Sequence, residues 1–171
     1  MDDLELALCH VFNQFNRRAL VRCFFGAVSR LGDGVFWYVL MLTLPVLHGA
    51  GALLVSAQMA LVGLLSLPLY RWLKHTTGRA RPCHRDRGLL RSTDPLDEFS
   101  FPSGHTMHAV GFSVVLVAWY PGWVWVAGGF TVLVAISRLV LGLHYPSDVA
   151  IGALLGAGLA GLGLWGVGLV I

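Results

Sequence analysis

The chain alternates long charge-free stretches with short ones into which every charge is gathered. No Asp, Glu, Lys or Arg occurs from Gly34 to Tyr70, from Phe99 to Ser137 or from Val149 to Ile171, runs of 37, 39 and 23 residues. A bilayer crossing takes about 20 apolar residues as helix. Each of the first two runs is therefore long enough for two short crossings. Each is also broken near its middle by turn residues, His48-Gly49-Ala50-Gly51 in one and Tyr120-Pro121-Gly122 in the other. The pattern predicts two hairpins and a final helix, an all-α integral membrane protein in one domain. Its five-span transmembrane bundle would cover 34–48, 51–73, 103–120, 122–141 and 146–171.

Ahead of the first span, residues 1–33 read as an interfacial amphipathic segment. Leu4, Leu8, Val11, Phe12 and Phe15 recur near helical spacing, Asn16-Arg17-Arg18 interrupts them, and a second apolar patch runs from Leu20 to Phe25. Such a pattern suits the membrane surface, and a short helix packed on the bundle from outside fits it equally well. Gly32-Asp33-Gly34 is expected to end this segment before the first span. The final helix is rich in glycine, with Gly152 and Gly156 four apart and Gly158, Gly161, Gly163, Gly166 and Gly168 beyond. Small residues let membrane helices approach closely. Packing inside the bundle is expected, with a homodimer through this helix as the alternative.

Composition sharpens the picture. Of 171 residues 56% are apolar and 12% charged, with a mean hydropathy of +0.71, whereas soluble domains carry roughly 25% charged residues. Disorder and a detached nucleic-acid-binding domain are excluded. A hairpin returns to the face it left, so the N-terminal segment, the Arg71 to Glu98 stretch and the Arg138 to Asp148 stretch share one side. All 12 Lys and Arg and all 9 Asp and Glu lie there. The net charge of +3 is then juxtamembrane, and no nucleic-acid partner is implied. Met1-Asp2-Asp3 and Glu5 lack the basic start of a secretory signal. An uncleaved N-terminus bearing Arg17, Arg18, Arg22 and Arg30 should stay in the cytoplasm, which predicts an inner-membrane protein whose charged face looks inward. Three cysteines, Cys9, Cys23 and Cys83, without paired spacing make a disulfide framework unexpected.

Ionisable groups near a bilayer are costly and kept for function. His105 opens the third span in Phe101-Pro102-Ser103-Gly104-His105, and His144 precedes the fifth in His144-Tyr145-Pro146-Ser147-Asp148. Asp148, four residues after His144, can accept from one imidazole nitrogen and leave the other unprotonated, as a nucleophile or base requires. Equally, it can serve only the helix N-terminus electrostatically. Ser103 and Gly104 offer a hydroxyl and open N–H groups at a helix start, an anion-binding arrangement or an ordinary N-cap. Lys74, Arg81 and Arg138 supply three cations at membrane boundaries, where snorkelling alone could also place them. Together these groups describe phosphoryl transfer through a phosphohistidine, one histidine attacking and the other protonating the leaving oxygen. His105 and His108, three apart, could touch one metal without a third ligand nearby, and His108 reads better as a packed residue. Asp94, Asp97 and Glu98 lie in the active-site loop, residues 74–102, and read as a solvated stretch, with folding over His105 to tune it as the alternative.

Lys74 with six residues to Arg81-Pro82, then Pro102-Ser103-Gly104-His105, then Ser137-Arg138 with five residues to His144 and three more to Asp148, resembles the three-part motif of the type 2 phosphatidic acid phosphatase superfamily. The resemblance implies that His144 is the nucleophile, that Asp148 orients it, and that His105 is the general acid and later activates water. It implies that Lys74, Arg81, Ser103, Gly104 and Arg138 hold the phosphate, and that no metal or other cofactor is needed. A membrane lipid phosphatase is expected, acting on phosphatidylglycerol phosphate, phosphatidic acid or undecaprenyl diphosphate. Lipid phosphotransfer at the same site, or anion transport without hydrolysis, are the alternatives. Bacterial membrane members commonly have six spans and an outward site, so five spans and an inward site would be departures.

Overall fold

The computed structural model describes residues 2–91 and 97–168; among these the regular secondary structure is helical, with one isolated bridge between Ala80 and Phe99. The elements are α1 (Asp2–Asn13), a 3₁₀ turn (Gln14–Arg17), α2 (Ala19–Arg30), a π turn (Leu31–Val35), α3 (Phe36–His48), α4 (Ala52–Thr77), α5 (Pro82–Arg85) and α6 (Gly104–Trp119). Two short turns, Pro121–Trp123 and Val124–Gly128, lead into α7 (Gly129–Val140), and α8 (Pro146–Gly168) closes the chain. Among the described residues, four stretches are long and apolar enough to cross a membrane: Ala19–His48, Ala52–Thr77, Pro121–Val140 and Pro146–Gly168. α6 is apolar but shorter.

At Gly32-Asp33-Gly34 the helix breaks, because Gly34 is not helical, and α2 and α3 meet there at a kink. The π turn carries the chain from α2 into α3, so Ala19–His48 is one bent apolar stretch of 30 residues. Gly34 lies at φ 136°, a conformation open to glycine and strained for other residues. Helical periodicity could not separate a stop from a bend here, because both use the same residues. The other breaks are true turns. Gly49 at φ 81° closes α3, and Gly78 at φ 56° closes α4 in the left-handed conformation, donating its N–H to the Lys74 carbonyl at 3.0 Å.

α6 is the hub, packed most extensively along α8 and then against α4. Glycine makes the α6–α8 approach. A Cβ at Gly152 would stand 2.6 Å from the Ser103 carbonyl oxygen, and one at Gly156 would collide with the Met107 carbonyl. Gly158, Gly161, Gly163 and Gly166 have open space instead. The core between the helices holds Trp37, Leu44, Met59, Phe112, Val115, Leu116 and Val134. Leu42, Val46, Leu64, Trp125, Leu154 and Trp165 stand outward, as lipid-facing side chains do.

α1 is clamped over the end of the bundle where α4 stops and α6 and α8 start. Asn13 donates to the carbonyls of Val140 at 2.9 Å and Leu90 at 3.0 Å and accepts from the Leu90 N–H at 2.8 Å. Glu5 accepts from the Ser147 N–H at 3.1 Å. Leu4, Leu8, Val11 and Phe15 remain exposed along the outer side of this segment.

Candidate active site

One end of the bundle gathers residues from α4, the Arg79–Arg85 region, α6, α7 and the start of α8. A cavity of about 450 Å³ opens there, walled at its polar end by Lys74, Arg81, Asp97, Gly104, His105, Arg138 and His144. Its other end runs between α3 and α4 past Trp37, Tyr38, Met41, Ala60, Gly63, Leu64 and Leu67. The head of the cavity is ionic and its foot is apolar.

The three cations are almost wholly withdrawn from solvent, Lys74 4%, Arg81 1% and Arg138 3% exposed. Burying such charges without partners is very costly. Lys74 Nζ donates to Asp97 Oδ1 and to the Phe99 carbonyl, each at 2.8 Å. Arg81 donates to the same Asp97 oxygen at 2.6 Å, to the Asp97 carbonyl at 3.1 Å and to the Leu143 carbonyl at 2.8 Å. Asp97 thus folds inward, as one of the two sequence readings allowed, but onto Lys74 and Arg81 and not onto His105. Its loop is drawn in by the bridge between Ala80 and Phe99 and by the Ser100 N–H, which donates to the Arg79 carbonyl at 2.8 Å. Burial pushes the Asp97 carboxyl up, but Lys74 and Arg81 outweigh it and hold it below the usual aspartate range. Asp94 lies outside the described residues. Among the described residues Arg138 is satisfied least: one guanidinium N–H reaches the Ser29 hydroxyl, and Nε has no partner. Three buried cations against two cavity-lining carboxylates of the described residues, Asp97 on Lys74 and Arg81 and Asp33 on His105, leave the head of the cavity short of negative charge.

His144 sits beneath this cluster in the connection between α7 and α8. Its Nε2 lies 3.3 Å from Arg81 Nη1. Arginine can only donate, so Nε2 must carry the lone pair and neutral His144 must keep its proton on Nδ1. Burial, followed by the charges of Arg138, Arg81 and Lys74, pushes His144 well below the ordinary histidine value. The ring is thus neutral at neutral pH, with an unprotonated nitrogen among the cations.

Asp148 lies on the Nδ1 side at 3.6 Å, beyond hydrogen-bond length, and its Oδ2 accepts instead from the Tyr145 N–H at 2.8 Å. Its Oδ1 accepts from Arg79 at 2.6 Å. Arg79 also donates to the Ser147 hydroxyl at 2.7 Å, pairs with Glu5 and covers the Tyr145 ring at 4.0 Å. The sequence reading missed Arg79 and Glu5, although Arg79 stands two residues from Arg81. Ser103 caps α6 with its N–H on the Asp148 carbonyl at 3.0 Å, which ties the two helix starts together. The Ser103 hydroxyl is 3.0 Å from that of Thr106, and the residue is not among those lining the cavity. Gly104 and His105 do line it.

His105 Nε2 is ion-paired with Asp33, a carboxylate the sequence reading had used only as a helix stop. His108, one turn further, stacks on Phe112 at 5.6 Å and meets Tyr70 edge-on at 5.8 Å on the apolar wall.

A bundle of apolar helices long enough to cross a membrane, with two histidines beside buried cations at one end, defines a class of multi-pass membrane protein. Residues 49–169 match the PAP2 superfamily, and the chain belongs to that family. It is 49% identical over 59 residues to the bacitracin transport permease protein BcrC of Bacillus licheniformis, over 33% of this chain and 28% of that protein. It is 41% identical over 61 residues to an undecaprenyl-diphosphatase of Sulfolobus acidocaldarius, over 35% of this chain and 30% of that one. The chain thus matches less than a third of the length of these two relatives. A crystal structure of a transmembrane PAP2-type phosphatidylglycerolphosphate phosphatase from Bacillus subtilis superposes with a TM-score of 0.76 at 25% identity, covering 99% of this chain and 87% of that one.

Proposed function

We propose that this protein is a lipid phosphatase that cleaves a phosphomonoester or diphosphate at the membrane boundary through a phosphohistidine. The observation that carries the reading is the shortage of negative charge around His144: Lys74, Arg81 and Arg138 are buried about its unprotonated Nε2. A tetrahedral phosphate with several peripheral oxygens supplies that charge and gives each cation a partner. Nε2 attacks phosphorus, the ester or anhydride P–O bond breaks, and the electron pair leaves with the lipid oxygen as His105 protonates it. Water, deprotonated by His105, then attacks the phosphohistidine, frees inorganic phosphate and restores His144. Asp148, fixed by Arg79, holds the Nδ1 side as positive charge develops on the ring.

The cavity supports a lipid as the carrier of the phosphate, because its polar head continues into an apolar channel between α3 and α4. The tail stays in the bilayer side of that channel while the headgroup sits among the cations. In this reading α6 is a fifth, short crossing, and the exposed Leu4, Leu8, Val11 and Phe15 rest α1 in the headgroup layer. Undecaprenyl diphosphate and phosphatidylglycerol phosphate, on which the two named phosphatases act, are the first substrates to try, with phosphatidic acid beside them.

The test is phosphate release in detergent micelles with EDTA present, wild type against His144→Ala. Wild type should release phosphate from at least one of the three lipids, and the variant should lose at least about 10³-fold while staying folded. A folded wild type that binds but releases nothing from any of them would overturn the phosphatase reading.

A further inference from the structure

The carboxylate of Asp33 is unaccounted for by the chemistry above. It lines the cavity, faces His105 Nε2 across 72 positions of sequence, and lies on the wall of a site that must receive an anion. A carboxylate there repels the incoming phosphate, so by itself it weakens binding. The turn that presents it is built with little freedom. A Cβ at Gly32 would stand 2.9 Å from a Val134 methyl of α7, and Gly34 is held at φ 136° with its open side against the Tyr38 ring. Both flanking positions thus require glycine, and the turn is locked against α7 and α3 with Asp33 toward the start of α6.

We infer that Asp33 is a positioning residue for the general acid, holding the Nε2–H of His105 so that Nδ1 carries the proton delivered to the departing lipid oxygen. The inference rests on the phosphatase reading. An imidazole has two nitrogens, and one facing a carboxylate leaves the other for the substrate. The charged and titratable groups that share the cavity with His105 are Asp33, Tyr38, Tyr70, Lys74, Arg81, Asp97, His108, Arg138 and His144. Of the two carboxylates, Asp97 is held by Lys74 and Arg81, so among the described residues lining the cavity Asp33 is the one placed to favour an imidazolium at position 105. As the P–O bond breaks, the Nδ1 proton passes to the leaving oxygen and the ring becomes neutral. Asp33 keeps its charge throughout, which separates its role from that of an acid in its own right. The protonated ring also stands between Asp33 and the phosphate, which offsets the repulsion that a bare carboxylate would impose.

General-acid assistance matters most when the leaving oxygen is a poor leaving group. The experiment compares dodecyl phosphate, which leaves as an alkoxide, with 4-dodecyl-2-nitrophenyl phosphate, which leaves readily without a proton. Both are presented in the same micelles to wild type, Asp33→Asn, Asp33→Glu and His105→Ala. Asp33→Asn should lose about 10²-fold in kcat/KM on the alkyl substrate and less than about 5-fold on the nitrophenyl one, with KM no higher than wild type, because that ratio reports the step in which the leaving oxygen departs. Asp33→Glu should show the same split at smaller amplitude, and it carries the test should Asp33→Asn fail to fold. Adding Asp33→Asn to His105→Ala should cost nothing further. Equal losses on both substrates, a raised KM with kcat intact, or full activity would each overturn the assignment while leaving the phosphatase reading in place. A folded wild type inactive on both substrates would remove the reaction itself, and with it both conclusions.

Discussion

A single oxygen of Asp97 bridges two of the cations proposed to hold phosphate, Lys74 at 2.8 Å and Arg81 at 2.6 Å. The resting site is thus partly occupied by a carboxylate of the protein's own loop, and a phosphate must displace it or share its donors. Replacing it should favour the ligand. Asp97→Asn is expected to bind inorganic vanadate, a tetrahedral anion, about three- to tenfold more tightly than wild type, a modest gain because the Asp97 side chain is 38% exposed. Inhibition curves of both proteins with one lipid substrate check it, and unchanged or weaker inhibition would rule out competition. The pH dependence has a definite sign. The Asp97 carboxyl is held below its ordinary value of 3.8, so the bridge is fully present above that pH and is lost as pH falls through the lower, folded value. The acid sensitivity of the loop, read by amide exchange at Phe99 and Ser100, should disappear in Asp97→Asn. His144, His105 and Asp148 were legible in the sequence, because a motif with fixed spacing needs no knowledge of the fold. Asp33, Arg79 and Asp97 were not. Asp33 meets a histidine across the bundle, Arg79 clamps a carboxylate 69 positions away, and Asp97 folds inward from a loop whose composition is that of a solvated one. Helical periodicity reports neighbours three and four apart and is silent about such pairs.

Among the elements, the α6–α8 pair sets the geometry of the proposed reaction, because His105 is the second residue of α6 and His144 lies two residues before α8. Their approach depends on backbone meeting backbone at Gly152 and Gly156, and the Ser103 N–H bond to the Asp148 carbonyl fixes their relative height. The spacing of Gly152 and Gly156 was readable as a close-packing stripe, but only the folded bundle identifies α6 as the helix it receives. Gly156→Ala would drive a methyl into the Met107 carbonyl, and the helices must part to admit it. The expected outcome is a loss of about 1–3 kcal/mol in stability and of about 10²-fold in kcat, since shifts near 1 Å between reacting groups have that effect. Gly161→Ala, with open space around it, should change neither. Thermal unfolding in detergent and turnover measured side by side distinguish the two positions, and equal behaviour would mean that α8 does not bear on α6 as described. The bend at Gly32-Asp33-Gly34 makes the same point at a different joint. Two glycines around an aspartate looked like punctuation, whereas in the fold they let the first long stretch turn against α7 and carry a charge to the head of the cavity.

For the molecule as a whole, the remaining question is which compartment the site faces. Every Lys and Arg belongs to the segments around the cavity head, and the two opposite turns, at 49–51 and 120–122, carry no charge. Excess positive charge stays on the cytoplasmic side of a bacterial membrane. Three of the cations, Lys74, Arg81 and Arg138, are buried in the site, but the exposed Arg17, Arg18, Arg22 and Arg30 remain to set orientation. An inward site would dephosphorylate lipids on the leaflet where they are made, and an outward site would act on lipids returning from the other face. The chain carries its own probe of this. Cys23 on α2 is exposed, while Cys9 and Cys83 are buried. Burial pushes the Cys9 thiol up to about 12 and also raises Cys83, so neither offers much thiolate at neutral pH. A membrane-impermeant maleimide should therefore label Cys23 in inverted vesicles and not in intact spheroplasts, with Cys23→Ser abolishing the signal. Gly122→Cys, in that background, should label with the opposite sidedness. Labelling of Cys23 from outside, with Gly122→Cys protected there, would place the headgroup site on the outer face and would mean that the exposed arginines do not set the orientation by the charge rule.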